Sequence, residues 1–143
     1  MVDWKPSSPL KYLQQRAQAL ASIRRFFAER DVLEVETPLL ASTTVPDVYI
    51  ESVSAELIDG NNSQACFLQT SPEFFMKRLL ASGSGSIYQI TKAFRQEEKG
   101  RIHNTEFTLL EWYRVSYSLE QLMTELECLV QGILGCDSIP RFT

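Results

Sequence analysis

The sequence is poor in the features that mark a disulfide-stapled, metal-stapled or membrane-inserted protein. Its three cysteines, Cys66, Cys128 and Cys136, are an odd number without the paired spacing of metal ligands, and they read as reduced thiols of a cytosolic protein. No apolar run approaches the roughly 20 residues of a membrane span, and the opening MVDWKPSSPL lacks the apolar core of a signal peptide. Internal repeats and low-complexity tracts are missing as well. Nor is there an excess of positive charge: 14 Lys and Arg against 18 Asp and Glu give a formal net charge of -4. That balance argues against a broad nucleic-acid-binding surface, though a local basic patch fits within it. What is present, 143 residues of which 44% are hydrophobic and 22% charged, suits one soluble globular unit with a sizeable core.

In chain order, residues 1–8 read as a tail, Ser8 as a helix cap and Pro9 as a first helical residue whose missing N–H costs nothing. Leu13, Ala17, Leu20 and Phe27 form one stripe, widened by Ile23 and Phe26, which predicts an amphipathic helix to about Asp31. VLEVETP favours a strand ended by Pro38. Residues 39–47 read as a polar loop, 49–57 as an exposed strand before the turn signal Asp59-Gly60-Asn61, and 65–69 as a short apolar strand. In TSPEFFMKRLLASG, Ser71 is a suitable N-cap, Pro72 takes the first helical position, Glu73 suits the positive end of the helix dipole and Gly83 closes the helix. On these grounds alone Glu73 is simply a first-turn helix carboxylate. Ser118 and Gln121 make a capping box for a last helix with Leu122, Leu126, Leu129, Val130 and Ile133 on its apolar side and Gly135 as its stop. That helix carries no chemical constellation and reads as core.

The chain is organised around residues 94–114, FRQEEKGRIHNTEFTLLEWYR. Strand alternation from Gln89 puts Gln89, Thr91, Ala93, Arg95 and Glu97 on one face, with Tyr88, Ile90 and Phe94 on the other. On the returning run Phe107, Leu109, Glu111 and Tyr113 share a face. Between the runs lies a polar loop, 98–104, whose single glycine, Gly100, permits a tight bend. A surface hairpin with solvated charges accounts for much of this. Glu111, however, sits in an apolar and aromatic run where an unpaired charge is costly to bury, and a buried carboxylate wants a cation. A structural ion pair would meet that need as well as a ligand would.

The same stretch resembles motif 2 of the class II aminoacyl-tRNA synthetases, and most of all its lysine-type form, F-R-x-E followed by R-x-H-N-x-E-F-T-x-x-E-x-Y. Arg95, Glu97, Arg101, His103, Asn104, Glu106, Phe107, Thr108, Glu111 and Tyr113 occupy the matching positions. Thr105 stands where that pattern usually has proline. The helix and strand ending in Glu36-Thr37-Pro38 resemble motif 1, which implies a homodimer built on them. The implied fold class is α+β, a partial class II synthetase-like antiparallel sheet flanked by helices. Residues 1–9 would be the tail and 10–143 the N-terminal portion of the catalytic domain, with motifs 1 and 2 present and motif 3 absent.

The resemblance further implies that Ser71, Pro72, Glu73, Glu111 and Tyr113 bind the amino acid, Glu73 and Glu111 flanking one ammonium. Arg95, Gln96, Glu97, His103, Asn104 and Phe107 would bind ATP, and Arg95 would be catalytic. About ten residues precede the motif 1 helix, too few for the anticodon-binding domain of lysyl-tRNA synthetases. The wording TSPEFFMKRLLASGSGSIYQITKAFRQEEKGRIHN is closer to the short paralogues that attach β-lysine to a lysine side chain of elongation factor P. The implied substrates are ATP with (R)-β-lysine or lysine, the implied partner is elongation factor P, and tRNA and membranes are not expected. Magnesium ligands and motif 3 are expected beyond this stretch, which as an N-terminal piece would be inactive by itself. Two other readings stay open: a piece of a true lysyl-tRNA synthetase, and a non-catalytic dimerisation or ligand-binding module.

Overall fold

The structure is a computed structural model that describes residues 4–96, 100 and 103–140. In chain order its elements are α1 (Leu10–Ala28), β1 (Leu33–Glu34), β2 (Leu40–Ala41), β3 (Ser54–Asp59), β4 (Asn62–Leu68), α2 (Glu73–Ala81), β5 (Ile87–Phe94), β6 (Glu106–Tyr113) and α3 (Leu119–Leu134). The chain divides into two units, one made of Met1–Val32 with Ser116–Thr143 and the other of Leu33–Val115. The predicted α+β class holds. Its sheet is more divided than expected, because one three-stranded sheet runs β1-β5-β6 and a second runs β2-β4-β3.

In the sheet unit, β5 and β6 form the predicted hairpin, antiparallel with Gln89 opposite Glu111, Thr91 opposite Leu109 and Ala93 opposite Phe107. β1 pairs with β5 in parallel, and the Val35 N–H continues that contact to the Tyr88 carbonyl at 2.9 Å. The VLEVETP strand is thus shorter than its composition suggests, since the ladder covers Leu33 and Glu34 alone. Residues 39–47 are not wholly loop, for Leu40 and Ala41 pair with Leu68 and Phe67. β3 starts at Ser54 rather than near Tyr49. The Asp47 carboxylate accepts the Tyr49 N–H at 2.9 Å, a local turn that competes with extended pairing. Met76, Ile87, Tyr88 and Ala93 are buried.

Helix α2 departs from its sequence grammar. It begins at Glu73, Pro72 holds the cap position, and no side chain caps it, so Ser71 lies one residue too early for the role its type suggests. Gly83 does follow the helix end, with φ +87 and its N–H on the Leu80 carbonyl at 2.9 Å. At the tip of the hairpin Gly100 and His103 exchange backbone hydrogen bonds of 3.3 Å. Gly100 is not at positive φ, and a Cβ there would meet His103 Nδ1 at an ordinary 3.5 Å, so position 100 does not require glycine.

In the helical unit, α3 follows its sequence closely. The Ser118 hydroxyl accepts the Gln121 N–H, the Gln121 side chain accepts the Ser118 N–H, and Gly135 ends the helix in the left-handed conformation at φ +66. Leu129 is buried as expected, whereas Leu126 and Ile133 are exposed. α1 lacks the predicted Ser8 cap: Pro9, extended at ψ 145, occupies that position. It ends at Ala28, before Asp31, because after Glu29, whose N–H still reaches the Arg25 carbonyl, the N–H groups reach back only three residues, Arg30 to Phe27 and Asp31 to Ala28. Asp31 itself is left-handed at φ +53. Phe27 is fully buried and meets Phe26 edge-on at 5.3 Å, while the earlier part of the predicted stripe, including Leu13 and Ala17, is open to solvent. Among the described residues, no helix is long and apolar enough to cross a membrane.

Candidate functional site

The site is assembled from three pieces of the sheet unit: the facing residues of β5 and β6, the 69–72 segment, and the first turns of α2. Two-residue alternation carries Phe107, Leu109, Glu111 and Tyr113 along one face of β6, opposite Ala93, Thr91, Gln89 and Ile87. The Tyr113 hydroxyl donates to Glu111 Oε1 at 2.8 Å. Opposite Glu111, Gln89 is buried, and its amide oxygen accepts the Thr37 hydroxyl at 2.9 Å.

Burial pushes the Glu111 carboxyl above its ordinary pKa, the Tyr113 hydrogen bond pulls it back, Glu73 pushes it up again and Lys77 pulls it down. The charge of Glu73 therefore bears on Glu111. Tyr113 is pushed well above the usual phenol range, first by burial, then by its bond to Glu111 and by the charges of Glu111 and Glu73. It stays a protonated donor at neutral pH. Two carboxylates and a phenol on one half-buried surface make a patch that favours an ammonium ligand. The ammonium already present is that of Lys77, one turn beyond Glu73 on α2 and in contact with its carboxylate.

Arg95 follows the last residue of β5. Its guanidinium lies 5.0 Å from the centre of the Phe107 ring, and its Nε donates to the Thr70 carbonyl at 3.4 Å. Phe107 opposes Ala93 on the face that bears Glu111, so the arginine is kept on that side. Thr70 is held in turn by its neighbour Gln69. The Gln69 carbonyl accepts the Phe94 N–H at 2.9 Å, and its amide Nε2 donates to the Lys92 carbonyl at 2.8 Å and to the Thr91 hydroxyl at 3.1 Å. Gln69 thus takes the place of a strand partner on the edge of β5 and fixes where the 70–73 segment starts.

Of the remaining sequence candidates, Ser71 is half-buried and Pro72 buried beside Glu73, Gln96 is exposed with its N–H on the Glu51 carbonyl at 2.9 Å, and His103 and Asn104 are exposed in the hairpin tip. Glu97 lies outside the described residues. A cavity of about 320 Å³ borders α2, lined among others by Val45, Leu68, Gln69, Ser71, Phe74 and Arg78. The two carboxylates and Arg95 are not part of its lining, so it flanks the patch rather than forming it. Among the described residues no three His, Cys, Asp or Glu side chains converge closely enough to hold a metal ion. Lys77 and Gln69 were missed in the sequence. Lys77 was legible as the residue four after Glu73, while nothing local distinguishes Gln69.

Compared with known proteins, residues 1–136 match the family described as tRNA synthetases class II (D, K and N). The chain belongs to that family. Among its curated relatives are proteins named elongation factor P–(R)-β-lysine ligase from Vibrio vulnificus and Vibrio cholerae, 52% and 51% identical over 143 residues. The protein of that name from Yersinia enterocolitica is 50% identical over the same length. Each alignment covers 99% of this chain and 44% of the relative, so the chain spans less than half the length of the curated relatives it matches.

Proposed function

We propose that the whole protein activates (R)-β-lysine, or lysine, with ATP and ligates it to a lysine side chain of elongation factor P. The observation that carries this is Glu111 holding the Tyr113 hydroxyl on the sheet face where Phe107 keeps Arg95, with the charge of Glu73 on α2 bearing on the same carboxyl. The names of the relatives supply the substrate and the protein acceptor.

In this reading Glu73 and Glu111 take the ammonium of the substrate, with Tyr113 orienting Glu111 and Ser71 and Pro72 shaping the start of the pocket. The substrate carboxylate attacks the α-phosphorus of ATP, a new P–O bond forms and pyrophosphate leaves. The amine of the acceptor lysine then attacks the acyl carbon, AMP leaves, and the amide forms with loss of a proton. Arg95 touches the substrate carboxylate and the α-phosphate and offsets the charge that grows there. Phe107 offers a flat face to the adenine, while Gln96, Glu97, His103 and Asn104 hold the rest of the nucleotide. The triphosphate charge would be neutralised by magnesium when that ion is bound. The exposed leading half of α1, with Leu10 and Leu13 open, suits a homodimer contact in the cytoplasm.

The test is pyrophosphate exchange by the full-length protein with each lysine isomer, followed by transfer to elongation factor P or to lysine tRNA. Labelled elongation factor P is expected. Charged tRNA instead would establish the second reading, a lysyl-tRNA synthetase, which the family match keeps in play. Absence of both would leave a non-catalytic module.

A further inference from the structure

The ion pair between Lys77 and Glu73 has the form of an ordinary contact between residues four apart on a helix, and it lies where such pairs add little to a fold, with side chains 55% and 40% exposed. Its position gives it another use. Lys77 ends in a primary ammonium on a flexible four-carbon stem, the same chemistry as the amine that Glu73 and Glu111 are proposed to receive. It already touches one of those carboxylates.

We infer that Lys77 is a tethered occupant of the amine site: without substrate its ammonium neutralises Glu73, and the substrate binds by displacing it into water. The inference rests on the amine-site reading above. Displacement is easy, because the exposed stem lets the released ammonium be hydrated. The consequence is a threshold. A tethered competitor acts at high effective concentration and weakens every amine ligand by the same factor. A simple diamine that offers only its charge then falls below useful affinity, while an amino acid whose carboxylate is also gripped by Arg95 retains enough to bind.

The experiment measures binding of lysine, β-lysine and cadaverine to the full-length protein by calorimetry, comparing wild type with Lys77→Met and Lys77→Arg. Lys77→Met should tighten lysine and cadaverine by the same factor, roughly two- to fivefold, whereas Lys77→Arg, which keeps the charge, should stay near wild type. The gain should vanish in a Glu73→Gln background. Unchanged or weaker binding in Lys77→Met, or a gain that persists without the Glu73 charge, overturns the inference.

If the wild type binds none of the three amines, the amine-site reading has failed, and the tether is judged separately on the full-length protein by carboxyl NMR titration. Among the described residues, the charged and titratable groups that bear on Glu111 are Glu73, Lys77 and Tyr113, and Lys77 is the cation of the three. Glu111 should therefore titrate at higher pH in Lys77→Met than in wild type. Coincident curves would overturn the tether whatever the protein's activity.

Discussion

The starts of α2 and α3 are written in nearly the same sequence grammar and fold differently. Ser118 closes α3 through a reciprocal capping box, while Ser71, placed just as plausibly, caps nothing, and α2 begins at Glu73 behind a buried Pro72. The difference lies upstream. Nothing in α3's approach competes with the local cap, but the path into α2 is pinned two residues earlier, where Gln69 bonds to Phe94, Lys92 and Thr91. Long-range hydrogen bonds override a local preference worth about 1 kcal/mol. The same contrast runs through the two units. Gln69, Thr70, Gln89 and Thr91 of the sheet unit are buried polar residues, against Glu125 in the helical unit. Buried polar groups must be satisfied by defined partners, so they fix positions where an apolar core would fix only a volume.

The largest test of this contrast is Phe27→Ala in the helical unit. Removal of a fully buried ring should cost about 3 to 5 kcal/mol in denaturant unfolding. In the full-length protein, turnover per folded molecule should hardly change. Arg95→Ala should do the reverse, with little loss of stability and adenylate formation slowed on the order of 10² to 10³-fold or lost. Retained pyrophosphate exchange would remove Arg95 from its assigned role.

Glu111→Gln is next and has a signed pH dependence. Because the folded pKa of Glu111 is raised, mainly by burial, its contribution to stability is fully present below the ordinary carboxylate range. It is lost as pH rises through the raised value. The glutamine variant should therefore melt higher than wild type near neutral pH and lose that advantage in acid, while its affinity for lysine falls about tenfold to a hundredfold. The smallest effects concern the two serines. Ser118→Ala should cost about 1 kcal/mol and Ser71→Ala less than about 0.5 kcal/mol of stability, as cap and non-cap respectively. Equal costs would show that the contrast between the two helix starts is only apparent.

Much of the fold was legible. The β5–β6 hairpin, its facing residues and both ends of α3 followed from alternation, a capping box and one glycine, because each depends on neighbours close in sequence. The family was equally legible, since the motif 2 wording is long and specific. Strand limits were less so. Tyr49 turned away from its expected strand into an Asp47 turn, and Leu40 and Ala41 became a strand only because β4 offered an edge.

By itself the sequence determined most of the elements, the family and the acidic, basic and aromatic residues of the candidate site, because periodicity, turn chemistry and motif wording act over a few residues. Only the tertiary structure decided that Glu73, from a helix, comes within electrostatic reach of Glu111, from a strand 38 residues later, with Lys77 already on the first and Tyr113 on the second. Gln69 made the same kind of decision for the path into α2. Both depend on groups brought together by packing, and the strength of an interaction between charges depends on their separation in space rather than along the chain.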